Sequence, residues 1–240
     1  MTDFEIVGNY PAVYFPALDL ITVSDIHLGL EASMTSKGNY IPEFQLEQIL
    51  EELDEIKKET DCSRILVNGD LKNQYSTSYS EKNEINELLD FLTENFEDVI
   101  IIQGNHDTFI ESLLEEHGLR PLDSYEQDGV LFTHGHERPE QDWSKIVIGH
   151  EHPALALDDQ IGVTEKVDCL LHLEGEKEVF VLPAYSPISN GSEINRMSSS
   201  ELLSPILKDF NLDDFQAYAI SREAGVFDFG TIQALNKAME

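Results

Sequence analysis

Five short polar clusters along this chain carry side chains of the kind that hold divalent metals. They are Asp25-Ile26-His27, Gly69-Asp70 with Asn73 beyond it, Gly104-Asn105-His106-Asp107, His134-Gly135-His136 and Gly149-His150-Glu151-His152. Carboxylate oxygen, imidazole nitrogen and amide oxygen form a mixed, moderately hard donor set. Such a set suits Mn²⁺, Fe or Zn²⁺ better than a thiolate-type site would. Each cluster alone is weak evidence. Asp-x-His pairs occur by chance on surfaces, and Gly-Asp after a strand is an ordinary turn signal. Gly-Asn-His-Asp can also be a turn. The conjunction is what counts: six of the eight histidines fall in the clusters, and all five clusters follow apolar runs. The other two, His117 and His172, read as helix-end and strand residues without a chemical role.

Those runs are the elements that must position the clusters. Leu20 to Ser24, Arg64 to Asn68 and Val99 to Ile102 read as buried strands. Between them, Phe44 to Lys58 and Glu84 to Asn95 carry apolar residues at helical spacing among acids. Glu111 to His117 reads as a short helix ended by Gly118. Strand, helix, strand, helix, strand implies a parallel sheet with right-handed crossovers. The second half is richer in strands: Val130 to Thr133, Lys145 to Ile148, Ala154 to Leu157, Val167 to Leu173 and Val179 to Leu182. Ala217 to Ile220 and Gly225 to Phe229 suit a late hairpin, and Ile232 to Met239 a closing helix. Ser76 to Ser80 reads as a loop, and the Ser-, Asn- and Gly-rich stretch Ser186 to Ser200 as a long surface loop. The fold class is therefore α/β with a mixed sheet system. The clusters sit at strand carboxyl ends, where ligands collect in open α/β sheets. Asp-x-His and His-x-His in extended backbone would put both side chains on one side.

The 240 residues suit one domain over positions 1–240, and 41% apolar content suffices for a packed core. No run of about 18 apolar residues predicts a membrane span. The first residues lack a basic and then apolar leader, so a cytoplasmic location is expected. Cys62 and Cys169 are not spaced as a zinc site and read as interior thiols rather than a disulfide. Asp plus Glu number 47 against 15 Lys plus Arg, for a formal charge of −32. Such a surface repels itself and phosphate polymers unless salt screens it. The acids are spread along the chain, which fits a cytoplasm of molar salt, where the Debye length is about 3 Å. Halophily is thus an expectation, tested by an unfolding series against KCl; full stability without salt counts against it.

The cluster pattern resembles the calcineurin-like metallophosphoesterase superfamily, whose signature is Asp-x-His, Gly-Asp, Gly-Asn-His-Asp/Glu, His and Gly-His-x-His. The match runs from Asp25 to His152. The flanks SDIHLGLE, NGDLKN, THGHERPE, IGHEHP and LPAYSP look like the small ICC-like phosphoesterases of archaea and the bacterial DNA-ligase-associated phosphoesterases. With them the likeness spans roughly residues 13 to 232. It implies a four-layer α/β/β/α sandwich with two mixed β-sheets. It also implies two divalent ions, Mn²⁺ first, with Fe, Zn²⁺ and Ni²⁺ as alternatives. Asp25, His27, Asp70 and His152 would hold one, and Asp70, Asn105, His134 and His150 the other, with Asp70 bridging. His106 resembles the catalytic histidine that protonates the leaving oxygen, and Asp107 would orient it or hold its positive charge. His136 would contact substrate, support the ligands or serve structure. Two departures stand out. Asn73 after Gly-Asp-x-x brings hydrogen bonding without charge. GNHDTF also lacks the arginine that some protein phosphatases carry beside this motif, which argues against phosphoprotein substrates.

The resemblance implies hydrolysis of phosphodiesters or phosphomonoesters by a metal-bridging hydroxide. The partner would be a small phosphoester or nucleotide substrate. Alternatives are a nuclease or nuclease accessory in DNA repair, and a lapsed phosphoesterase-fold scaffold. Apart from Lys57-Lys58 there is no basic patch, which weakens nucleic-acid binding by this chain alone. The intact ligand set speaks against the scaffold. No membrane partner is expected, and the sequence leaves oligomeric state open.

Overall fold

The computed structural model describes residues 2–38, 42–74, 79–158 and 162–239. Six strands form the first sheet: β1 (Glu5–Ile6), β2 (Val13–Phe15), β3 (Leu20–Val23), β4 (Arg64–Asn68), β5 (Asp98–Ile102) and β6 (Pro121–Leu122), in that spatial order. β3 to β6 run parallel, while β1 and β2 add an antiparallel edge. The crossovers are α1 (Leu30–Ser36) with α2 (Gln45–Thr60), then α3 (Tyr79–Asn95), then α4 (Glu111–Glu116). α2 buries Ile49, Leu53 and Ile56, which share one helical face. It stops at Asp61, whose left-handed backbone (φ 51°) caps the final turn.

Nine strands form the second sheet: β7 (Ser124–Gln127), β8 (Val130–Thr133), β9 (Lys145–Ile148), β10 (Pro153–Asp158), β11 (Thr164–Leu173), β12 (Glu178–Val181), β13 (Ser192–Glu193), β14 (Gln216–Ser221) and β15 (Gly225–Thr231). β8, β9 and β12 are parallel neighbours, and the rest of the sheet is mixed. The ten-residue β11 pairs with β10 through its first half and with β12 and β14 through its second. α5 (Ile232–Met239) closes the chain.

Strand alternation sorts the apolar residues into three cores. Ile21, Val23, Ile65 and Val67 face outward under α2, α3 and α4. Leu20, Leu66 and Ile100 face inward to Phe132, Val147 and Phe180 of the second sheet. Ile146, Ile148, Val179 and Val181 face a last layer of Leu207, Leu212, Ile232 and Leu235. The result is the α/β/β/α sandwich. Phe15 sits edge-on to Phe132 and Phe180 between the sheets, at 5.7 and 5.5 Å. Each such pair adds ~0.5–1.5 kcal/mol beyond simple burial. Cys62 and Cys169 are buried free thiols in different cores, as read from the sequence.

Two readings need correction. Ser186 to Ser200 is not simply a surface loop: it contributes β13, and a 3₁₀ turn at Ile194–Arg196 buries Ile194 and Asn195. Asn195 donates to Ala156 O (2.9 Å) and accepts from Ala156 N (2.8 Å), so a polar side chain completes the edge of β10. Of the expected loop at Ser76 to Ser80, residues 76–78 lie outside the described residues, and α3 begins at Tyr79. α1 and the short edge strands β1 and β2 were not expected. Among the described residues no helix is long and apolar enough to cross a membrane.

Candidate metal centre

The first sheet delivers Asp25 and His27 just past β3, Asp70 past β4, and Asn105 and His106 past β5. The second sheet delivers His134 past β8, and His150 and His152 past β9. The expected side-by-side placement from extended backbone is not how they meet. Asp25, His27, Asp70, His150 and His152 all have left-handed φ, between 46° and 64°. Each such residue costs ~1–3 kcal/mol and persists where surroundings over-determine it. Here Asp25 N donates to Gly69 O (3.1 Å) and His27 N to Asp70 O (2.9 Å), which ties the two strand ends together. Close approach also demands small neighbours. A Cβ on Gly104 would lie 2.1 Å from Asp70 Oδ1, and one on Gly149 1.8 Å from Ser24 Oγ.

Two donor triads result. Asp25, His27 and His152 form one, and Asp70, His134 and His150 the other; within each, one ligating atom per residue lies within 4.8 Å of the rest. In the first, His27 Nε2 and His152 Nε2 are 3.2 Å apart, and Asp25 Oδ1 is 3.0 Å from His152 Nε2. In the second, His134 Nε2 stands 3.4 Å from Asp70 Oδ2 and 3.2 Å from Asn105 Oδ1. Asp70 Oδ2 also lies 3.9 Å from His27 Nε2, so Asp70 stands between the triads. All six triad residues, and Asn105 beside them, are among those singled out in the sequence.

These residues fit a cation. His134 Nδ1 faces Asn68 O at 2.9 Å and must donate its proton there, which turns Nε2 inward. A neutral His134 then presents a lone pair toward the oxygens of Asn105 and Asp70, acceptors turned on acceptors. His27 Nδ1 is buried without a hydrogen bond, and Asp25 Oδ1 is buried with the His152 ring 3.0 Å away. Burial pushes Asp25 up, but His152, His134 and His27 outweigh it and hold the carboxyl far below the usual range. Burial pushes His27 and His150 down to about 4, so both are neutral imidazoles at neutral pH. Burial also acts against charge on His134, yet Asp70 and Asp25 raise it to about 9. The buried carboxylates draw positive charge inward, and protons on His134 compete with metal for that place.

His106 stands at the edge of the triads. Its Nδ1 lies 2.7 Å from Asn73 O and donates to it, leaving Nε2 4.0 Å from Asp70 Oδ2 on a side chain 28% exposed. Its backbone N–H donates to Asp70 Oδ1 (2.9 Å). Asp107, next in the chain, is fully buried. Its Oδ2 accepts from Gly104 N (2.8 Å) and its Oδ1 from Lys72 N (3.2 Å), so the buried carboxylate shapes the ligand loops. Burial, with Asp70 adding, raises it to about 6. Asn73 contributes its main-chain carbonyl to the site. His136 holds its ring 5.2 Å from that of His134, tilted by 51°, and lines a cleft of about 570 Å³ with Asn105, Thr108 and Arg138. His117 caps α4 and His172 lies on Phe180 beside Glu178, both away from the triads.

Several supporting residues carry no sequence signal. Ser24 Oγ meets Asp25 Oδ2 at 2.6 Å, and Ser189 Oγ meets His152 Nδ1 at 3.2 Å, turning the other nitrogen to Asp25. Gln45 Nε2 donates to Ile26 O, His27 O and Ser186 Oγ, anchoring the first ligand turn to α2. The segment beginning at Ser186 therefore borders the site.

A double-sheet sandwich with two Asp/His triads at facing strand ends is the architecture of a metallophosphoesterase. The profile of the calcineurin-like phosphoesterases matches residues 19–215, and the chain belongs to that family. In fold it is similar to the crystal structure of Pseudomonas putida nuclease MPE, with a TM-score of 0.64 and 21% identity over 91% of each chain. No curated protein matches the sequence.

Proposed function

We propose that this chain hydrolyses phosphoester bonds with two divalent ions, acting on diesters of small substrates. One observation carries the reading: Asp70 of one triad reaches to 3.9 Å from His27 of the other, and His106 stands beside them with one nitrogen turned inward. Asp25, His27, Asp70 and His152 are the ligands assigned to the first ion, and Asp70, Asn105, His134 and His150 to the second. Mn²⁺ is the first choice for this oxygen-rich mixed set, with Fe, Zn²⁺ and Ni²⁺ as alternatives. Bound there, two such ions polarise phosphoryl oxygens and lower the pKa of water.

The chain's own groups supply the rest. Hydrogen bonds from Ser24 and from the amides of His106 and His150 fix both carboxylates before substrate arrives. The Nδ1–H to Asn73 O bond fixes the His106 ring, so its protonated form carries the second proton on Nε2, toward the site. Transfer of that proton to the departing oxygen neutralises the charge left when the P–O bond breaks. Strong arginine pairing argues against a duplex substrate. Arg64, Arg138, Arg196 and Arg222 are engaged by Asp98, Asp209, Asp158 and Glu52. Free cationic groups are what phosphate tracking needs.

The test is hydrolysis of bis-p-nitrophenyl phosphate against p-nitrophenyl phosphate, with Mn²⁺ in molar KCl to screen the −32 charge. Diester turnover supports the reading. Preferred monoester turnover makes the chain a phosphatase, and turnover of neither leaves a scaffold.

A further inference from the structure

Nine non-glycine residues among those described have left-handed backbone. Five are the metal-type residues Asp25, His27, Asp70, His150 and His152. Three are Asp19, Asp61 and Asp128, a residue type whose short polar side chain tolerates that conformation. The ninth is Phe109, at φ 64°, and for a bulky residue this is a true outlier.

Phe109 is also 85% exposed, more than any other large apolar residue among those described. It is the third residue of the turn Asp107–Ile110, closed by Ile110 N donating to Asp107 O at 3.3 Å. A positive φ at that position ordinarily selects glycine or asparagine. Strain and exposure thus fall on one side chain in the loop that carries Asn105 and His106. Its neighbours point elsewhere: Thr108 lines the cleft beside Asn105, and Ile110 is buried at the start of α4.

We infer that Phe109 is a stacking platform for the base of a nucleotide whose phosphate lies at the triads. This rests on the phosphoesterase reading and narrows its substrate class. Three Cα steps of ~3.8 Å keep Phe109 within about 11 Å of His106 along the chain. That matches the reach from a nucleotide's phosphorus to the far edge of its base. Stacking also suits a chain with charge −32, because an aromatic face binds a base without the Lys and Arg that backbone tracking requires. The substrate is then a mononucleotide ester or an unpaired strand end, whose base is free to leave its neighbours.

The experiment compares thymidine 5′-(4-nitrophenyl phosphate) with methyl 4-nitrophenyl phosphate, which share a leaving group and differ in the nucleoside. Phe109→Ala should raise KM for the thymidine ester roughly five- to hundredfold, the range for losing one base–aromatic stack, with the loss confined to that ester. Phe109→Trp should restore it. Equal losses on both esters, or none on either, overturn the inference. Phe109→Gly relieves the backbone and should lose the same base preference without a lower Tm, which separates stacking from misfolding. Calorimetric titration with thymidine 5′-monophosphate decides independently of turnover. If wild type hydrolyses neither ester, the phosphoesterase reading fails by itself. Weaker nucleotide binding in Phe109→Ala still supports the platform, while unchanged or absent binding overturns it.

Discussion

Replacing Gly104 with alanine tests whether the ligand turns are packed as tightly as described. Gly104 does not have left-handed φ, so its backbone accepts alanine; the obstacle is room. The new Cβ would lie 2.1 Å from Asp70 Oδ1 and 2.2 Å from Asp70 N. Ordinary contact begins at 3.4 Å, so the shortfall to the main-chain nitrogen is about 1.2 Å. Side-chain rotation cannot clear a backbone atom, so the end of β4 or of β5 must move. Overpacking of this kind costs ~1–3 kcal/mol. At ~2–4 °C per kcal/mol for a chain of this size, Tm should fall by about 2–12 °C. Movement of about 1 Å at a reacting centre costs on the order of 10²-fold in rate. Asp70 would also shift from His106 N, its 2.9 Å donor. Thermal melts in constant KCl, metal per chain by elemental analysis, and kcat/KM on a diester read the three effects. Gly175→Ala is the control: the nearest atom to its Cβ is Lys177 O at 3.6 Å, so Tm should barely change. If Gly104→Ala keeps wild-type Tm, metal content and turnover, the close-packing argument is wrong.

Three further outcomes are expected. His106→Ala should lower kcat by about 10²–10⁴-fold while leaving metal content nearly intact; equal losses in both contradict its role as proton donor. Asp70→Asn should lower occupancy of both sites together, because Asp70 stands between the triads; a variant that still binds two ions refutes the bridging assignment. Metal affinity should climb with pH. His134, raised to about 9 by Asp70 and Asp25 against burial, is protonated at neutral pH in metal-free protein and must release that proton to bind. The same raised value means His134 stabilises metal-free protein below about pH 6.5 and loses that contribution as pH rises through about 9. Mn²⁺ titrations across this window, in buffers of differing ionisation enthalpy, should show proton release; a flat affinity would falsify the competition.

The parts of the fold most legible in the sequence were those with strong periodicity. Arg64–Asn68 and Lys145–Ile148 are apolar runs that end on polar clusters, and both form strands at those positions. The edge strands Glu5–Ile6 and Val13–Phe15 are too short to show alternation. Polar composition hid the inward turn at Ile194–Arg196, since Asn195 is buried by pairing with backbone rather than by being apolar. The site was read through its side-chain donors. What holds those donors was not legible. Asn73 acts through a carbonyl, which every residue has, and Ser189 lies in a serine-rich run that offers no contrast. For Asp107 the visible cue was its chain neighbour His106, whereas the main-chain donors its carboxylate accepts from, Gly104 N and Lys72 N, leave no mark in the sequence.

The donors come from both β-layers: Asp25, His27, Asp70 and Asn105 from one, His134, His150 and His152 from the other. An ion pair gripped by both would therefore act as a rivet through the sandwich as well as a reaction centre. The unfolded chain has no such cage, so ion affinity becomes cohesion between the halves. Chelation would then loosen the seam, and proteolytic nicks near it would register ion loss even without a substrate.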